Sequence, residues 1–326
     1  MNVVITGGAG FLGQRLARRL LQRGAIAPGE DGARRPIQRI TLVDQVQAPD
    51  YGDPRVRTVA ADVCDADVMA SLLGPETDLV FHLAAVVSGA AEADFDLGMR
   101  INLDASRLLL DVCRKAGARP RVVFTSSVAV YGGQPPPVVG DDTLISPRSS
   151  YGAQKAIGEL LLTDYTRKGF VDGRILRLPT ISVRPGAPNK AASSFASGLI
   201  REPLNGQPTV CPVPLDLKLW LLSPRAAVDN IIAGAELSST ALGERRALNL
   251  PGLSVTVGEM IAALERAGGK AATDLIRHER DPAVEAIVGS WPGAWDASRA
   301  LGLGLKGDAD FDAIVRAYVE DDLRPA

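Results

Sequence analysis

At 326 residues, with 46% hydrophobic and 23% charged side chains, the chain can bury one large α/β core and a smaller lobe, which excludes wholesale disorder. A formal net charge of −2 without a long basic run removes the electrostatic footprint of nucleic-acid binding. The three cysteines, Cys64, Cys113 and Cys211, form no Cys-x-x-Cys pair, so neither a disulfide framework nor a metal site is expected and a reducing cytoplasm fits.

The N-terminal residues read as a buried strand, not as a basic, apolar leader, so no signal peptide is expected. Apolar runs reach about six residues against roughly twenty for a bilayer, so no membrane span is expected either. Val/Ile/Leu-rich runs recur at 3–6, 40–43, 56–60, 79–83, 122–125 and 174–178. Helical patterns at 11–23, 68–73, 101–116 and 151–168 alternate with them, which predicts a doubly wound parallel α/β sheet covered on both faces. The turn-rich segment 25–38 reads as a surface loop inserted between the first helix and the second strand.

Thr6-Gly7-Gly8-Ala9-Gly10-Phe11-Leu12-Gly13 joins the first run to the first helix. Gly7 permits a tight turn, Gly10 lets backbone N–H groups approach a pyrophosphate, and Gly13 lets the helix pack close to the sheet. The positive helix end faces the anion, so the segment with Phe11 and Leu12 predicts a Rossmann-type dinucleotide site. Asp44 ends the second run, where a carboxylate accepts ribose hydroxyls and repels a 2′-phosphate, so NAD is expected over NADP. The insertion puts it thirty-one residues after Gly13, beyond the usual ~20 from the motif. Asp62-Val63 and Leu83-Ala84-Ala85 end the third and fourth runs and are expected near adenine and the crevice floor.

Tyr151-Gly-Ala-Gln-Lys155 opens a helix, and the spacing of four puts phenol and ammonium on one face. An ammonium about 4 Å away contributes ~4 kcal/mol at a dielectric near 20, enough to bring a tyrosine from ~10 toward 7 and make it a general base. Thr125-Ser126-Ser127 ends the fifth run, twenty-four residues before Tyr151, and supplies a hydroxyl to orient a substrate oxygen.

After Leu178 prolines interrupt the chain, and a helix from Arg225 and a strand around Leu248 follow. The expected division is a dinucleotide-binding domain over 1–181, with 223–251 returning to it, and a smaller C-terminal α/β substrate lobe over 182–222 and 252–326.

The glycine loop, His82-Leu-Ala-Ala85, Ser126-Ser-Val-Ala-Val-Tyr-Gly132 and Tyr151-Gly-Ala-Gln-Lys155 together resemble the extended short-chain dehydrogenase/reductase superfamily, which includes nucleotide-sugar epimerases and dehydratases. The resemblance covers nearly the whole chain. It implies that Ser127 is the catalytic hydroxyl and Ser126 its neighbour at nicotinamide. It also implies that Lys155 binds the nicotinamide ribose, that Asn102 supports a proton-relay water, and that His82 packs near the cofactor. Arg177-Leu-Pro-Thr180 occupies the place of the family's Arg-x-x-Asn segment beside nicotinamide. Pro179 and Thr180 depart from the aromatic and asparagine of the epimerases and weaken a sugar-nucleotide reading.

Segments 178–186, 189–195 and 219–225 are similar to a narrower, sugar-acid-oxidising branch of the superfamily. That similarity implies oxidation of the C2 hydroxyl of a D-erythronate-like, four-carbon acid to its 2-keto acid. Arg184 or Arg225 can grip such a carboxylate, and Ser88, Asn189, Ser193 and Ser194 can meet its hydroxyls. Two rivals remain: a 4-epimerase or dehydratase with tightly bound NAD, and a non-catalytic dinucleotide sensor. In relatives the helices at 101–116 and 151–168 often pair, so a homodimer is expected.

Overall fold

Among residues 1–323, which the computed structural model describes, seven parallel strands form the central sheet. They are β1 (Asn2–Thr6), β2 (Arg39–Asp44), β3 (Val56–Ala60), β4 (Leu79–His82), β5 (Arg121–Ser127), β6 (Asp172–Leu178) and β7 (Ala247–Asn249). Their order is β7-β6-β5-β4-β1-β2-β3. The chain therefore switches sides between β1 and β4, and a crevice opens there at the carboxyl ends of the strands.

Alternate residues of β1 face opposite layers. Val3 and Ile5 join a core with Leu16 and Leu20 of α1 (Phe11–Arg23), while Val4 joins another with Met69 of α2 (Ala66–Leu72) and Leu109 of α3 (Ala105–Ala116). α4 (Ser150–Arg167) covers the same face as α3 through Leu162. On the opposite face α1 shares its layer with α6 (Pro224–Glu236), through Ile231 and Ile232.

The chain departs locally from the sequence expectation in two places. The helix expected from 101 starts as a wider π-helical turn, Met99–Asp104, within which the Asn102 amide donates to the Val86 carbonyl and Gln154. Within the insertion, Ala25–Ile26 and Arg35–Pro36 pair antiparallel, and the buried Ile26 and Ile37 pin both ends to the core.

Beyond β6 a second sheet places Lys218–Leu222 between Thr180–Ile181 and Leu253–Thr256. α5 (Ser194–Leu204), α7 (Val257–Thr273) and α8 (Phe311–Asp321) pack with it around Leu199, Leu219, Met260 and Ile314. Thr256 and Glu259 start α7 with a reciprocal capping box. This second core lies beside the open end of the crevice, since Thr180–Ile181 follows β6 directly and pairs with Leu221 and Leu222.

Candidate active site

The crevice is a cavity of about 300 Å³, with Gly7, Gly10, Phe11, Leu12 and Gly13 at one end. Gly7 has φ +71°, and a Cβ there would lie 2.8 Å from the Ala84 nitrogen. A Cβ at Gly13 would lie 2.2 Å from the Gly7 carbonyl oxygen, so any side chain would push helix and loop apart. Gly10 caps α1 without a side-chain bond, and the first turn holds no acidic residue. Its amide N–H groups and positive end are thus open to an anion, as a pyrophosphate requires.

Asp44 ends β2, and its Oδ2 accepts the Ala9 N–H at 3.1 Å, which ties the carboxylate to the loop. Asp62 accepts from the Cys64 N–H at 2.9 Å and from Arg100 at 2.7 Å, while the Val63 side chain is buried in the core below. Leu83 and Ala85 line the cavity; Ala84 donates its N–H to Thr6 Oγ1 beneath it. These donors and close approaches fit a dinucleotide.

At the other end α4 docks on the end of β5. A Cβ at Gly152 would lie 2.1 Å from the Ala129 carbonyl oxygen, and Ser149 Oγ caps the helix by accepting the Gly152 N–H. That contact sets Tyr151 opposite Ser127, both in the cavity wall with Lys155. The Lys155 ammonium is buried, 4.6 Å from the Phe124 ring centre and 5.7 Å from that of Tyr151. Burial pushes the Tyr151 hydroxyl up to about 12, against the pull of Ser127 and the Arg184 charge. Burial likewise brings Lys155 down to about 8, with the Glu159 charge opposing it. The expected fall of Tyr151 toward 7 is therefore absent in the protein alone, because desolvation of the phenolate outweighs the pull of Ser127 and Arg184.

Beneath this pair runs a buried polar network. Ser126 Oγ donates to Glu159 at 2.5 Å, and Arg177 grips the same carboxylate at 2.9 and 2.7 Å. Arg177 also donates to the Tyr131 hydroxyl at 2.7 Å, which in turn donates to Asn249 Oδ1 at 2.8 Å. Burial works against the Arg177 charge, yet the Glu159 bonds hold its pKa above the ordinary value. Glu159 lies one turn beyond Lys155. The Asn102 amide is engaged too, accepting from the Val86 N–H and donating to the Val86 carbonyl and Gln154, so it braces the loop after β4.

His82 is buried between Thr6 and Ser106, at 2.7 and 2.9 Å. Ser106 spends its proton on the Asn102 carbonyl, so Nε2 of His82 carries the hydrogen and Nδ1 accepts from Thr6. Burial, then the Lys155 charge, pushes the ring down to about 3. The unfolded chain binds this proton near 6.5, so the stability contribution is complete above that pH and is lost as pH falls toward 3. A His82→Gln variant is expected to lose less stability than the parent between about pH 6.5 and 4.5, by up to ~1.4 kcal/mol per pH unit, in urea unfolding at each pH.

Pro179, Thr180, Ser88, Asn189, Ser193 and Arg184 all line the open end of the cavity. Ser88 Oγ accepts the Ala192 N–H and Ser194 Oγ the Asn189 N–H, so both hydroxyls tie the 189–194 turn down. Burial lowers the Arg184 pKa, and the Arg201 guanidinium pushes it the same way, while the Tyr151 hydroxyl opposes them; among the described residues no carboxylate is paired with it. Asp44, Asp62, Val63, Ala84, Asn102 and Ser194 are absent from the cavity lining, and Arg225 stands apart from it altogether. It lies outside the cavity, half-exposed on the first turn of α6, bound to Asp321 at 2.7 Å and Glu320 at 2.9 Å. Its side chain is held at the end of α8, so of the two candidate arginines only Arg184 lines the cavity. Sequence reasoning missed Trp291, which completes the wall from the C-terminal segment. Its signal was the pair Trp291 and Trp295 in a chain holding three tryptophans.

The model of the NAD dependent epimerase/dehydratase family matches residues 3–220. A D-erythronate dehydrogenase of Cupriavidus necator is 63% identical over 98% of both chains, and one of Haemophilus influenzae is 46% identical over 99% of this chain and 100% of its own. The crystal structure of a nucleoside-diphosphate-sugar epimerase from Agrobacterium tumefaciens superposes with a TM-score of 0.90 at 44% identity, covering 98% of this chain and 94% of that one. With the glycine loop and the Ser127–Tyr151–Lys155 group in one crevice and Asp44 bonded to that loop, the chain belongs to the NAD dependent epimerase/dehydratase family.

Proposed function

We propose that this chain oxidises the C2 hydroxyl of a small, D-erythronate-like sugar acid to the 2-keto acid, with NAD as electron acceptor. The observation that carries the reading is Arg184, a guanidinium in the cavity wall with Tyr151 that is paired with no carboxylate among the described residues. A substrate carboxylate is its natural partner, accepted in a bidentate fork. Identity of 63% to a D-erythronate dehydrogenase supports the same substrate class.

Bound NAD supplies the acceptor for the hydride that leaves C2. The remaining work belongs to the chain. Gly7, Gly10 and Gly13, with the amide groups of Phe11 and Leu12, hold the pyrophosphate, and Asp44 takes the adenosine ribose. Asp62 and the Val63 backbone border adenine, while Leu83, Ala84, Ala85, Ser126, Pro179 and Thr180 shape the floor toward nicotinamide. Ser127 orients the C2 hydroxyl and Tyr151 removes its proton. Lys155 keeps a positive charge below the phenolate, and Asn102 acts through the loop that it braces. Ser88, Asn189 and Ser193 meet the substrate hydroxyls. The sheet domain of 1–181 and 223–251 thus carries the cofactor, and 182–222 with 252–326 the substrate.

We further infer a cytoplasmic homodimer, paired through α3 and α4; Ile157 and Leu160 of α4, and Phe95 on the short helix Phe95–Gly98 ahead of α3, are exposed at 39%, 64% and 59%. Among the described residues no helix is long and apolar enough to cross a membrane.

The test is formation of reduced cofactor from NAD with D-erythronate, L-threonate or UDP-galactose. Release of NADH with the four-carbon acids is expected. The Agrobacterium relative favours a sugar-nucleotide alternative, and turnover of UDP-galactose alone would decide for it. Arg184→Ala is expected to raise KM for the acid about 10- to 100-fold, the scale of a lost charge-assisted bond, with NAD affinity unchanged.

A further inference from the structure

We propose that the indole of Trp291 is the wall that fixes substrate length, closing the cavity beyond the fourth carbon. This rests on the sugar-acid reading above and adds the residue that sets its size limit. Arg184 and Tyr151 would fix the carboxylate and C2, so every further carbon must extend into the space left between Ser88, Asn189, Ala191, Ser193 and Trp291. The whole cavity measures about 300 Å³. Most of that wall is small or polar and can yield or hydrogen-bond, whereas Trp291 is bulky and flat.

The indole is also braced. Trp291 packs at once against the core of the second lobe and against the aromatic cluster of Tyr131, Trp220 and Trp295. Trp295 stacks on Trp220 at 5.6 Å, and its segment is bonded to Val139 through Val139 N–H to Ala294 O at 3.1 Å and Asp296 N–H to Val139 O at 2.8 Å. A Cβ at Gly293 would lie 2.6 Å from the Lys218 Cβ, so the turn carrying Trp291 has no slack toward the sheet. A wall held this way does not swing aside for a longer chain.

The experiment compares the parent with Trp291→Ala and Trp291→Phe on four-, five- and six-carbon aldonates, reading NADH formation and, separately, NAD affinity by fluorescence. A single chain unit in a shaped pocket discriminates by about 10-fold or more. The six- to four-carbon ratio of kcat/KM is therefore expected to rise at least ~100-fold in Trp291→Ala and about 10-fold in Trp291→Phe, with NAD affinity unchanged in both. Trp291→Phe keeps most of the packing and preserves the test if the alanine variant folds poorly. An unchanged ratio, with four-carbon turnover intact in the parent, overturns the wall and leaves the sugar-acid reading standing. A parent that turns over none of the aldonates overturns that reading, and the wall falls with it.

Discussion

Replacing Tyr151 with phenylalanine is expected to lower turnover at least ~100-fold while leaving NAD binding near that of the parent, because only the proton acceptor is removed. The phenol is held by the docking of α4 on Ala129, so the ring of Tyr151→Phe occupies the same place. The pH profile gives a second reading of the same prediction. Burial holds the Tyr151 hydroxyl at about 12 and Lys155 at about 8. Oxidation needs phenolate and ammonium together. The rate of the parent is therefore expected to rise with pH and to level near pH 8, where Lys155 begins to lose its proton as fast as Tyr151 gains charge. In Tyr151→Phe the residual rate is expected to lose that ascending limb. Unchanged kcat in Tyr151→Phe would leave the tyrosine without a part in the reaction.

Local rules explain why much of this crevice is legible in the amino-acid sequence. The glycine loop occupies a strand-to-helix turn, and Asp44 closes a strand, both of which are set by neighbours in sequence. Tyr151 and Lys155 share a helix face at a spacing of four, which needs no tertiary information. Distant contacts were not legible. Arg184 and Arg225 are equivalent as letters, and only the placement of α6 against α8 assigns Arg225 to Asp321 and Glu320. Trp291 reaches the site from the far end of the chain, through packing that no periodicity encodes. The Tyr151 hydroxyl was misjudged because attraction can be counted from spacing whereas desolvation depends on how deeply the fold buries the group. Glu159 carries no signal in the sequence, since its partners Ser126, Arg177 and, through them, Tyr131 and Asn249 come from separate strands and loops.

Glu159 is where the largest loss of stability is expected. Its carboxylate is the acceptor for both nitrogens of the buried Arg177 fork and for the Ser126 hydroxyl. Both members of the ion pair are close to fully buried, at 5% and 4% exposure. Removing one partner of such a pair strands the other charge without solvent, a loss of about 3–5 kcal/mol. Glu159→Ala is thus expected to lower the unfolding free energy by that amount, measured from urea midpoints at constant slope. Glu159→Gln keeps an acceptor for Ser126 but not the charge, and should fall between the alanine variant and the parent. The double variant Glu159→Leu with Arg177→Met removes both charges and should recover part of the loss, because no buried ion is then left unmatched. The Glu159 charge also opposes the burial that lowers Lys155. In Glu159→Gln the Lys155 ammonium is therefore expected to give up its proton at lower pH, moving the point where oxidation levels off below pH 8. A merely structural glutamate would leave that point where it is in the parent, however much stability the variant lost.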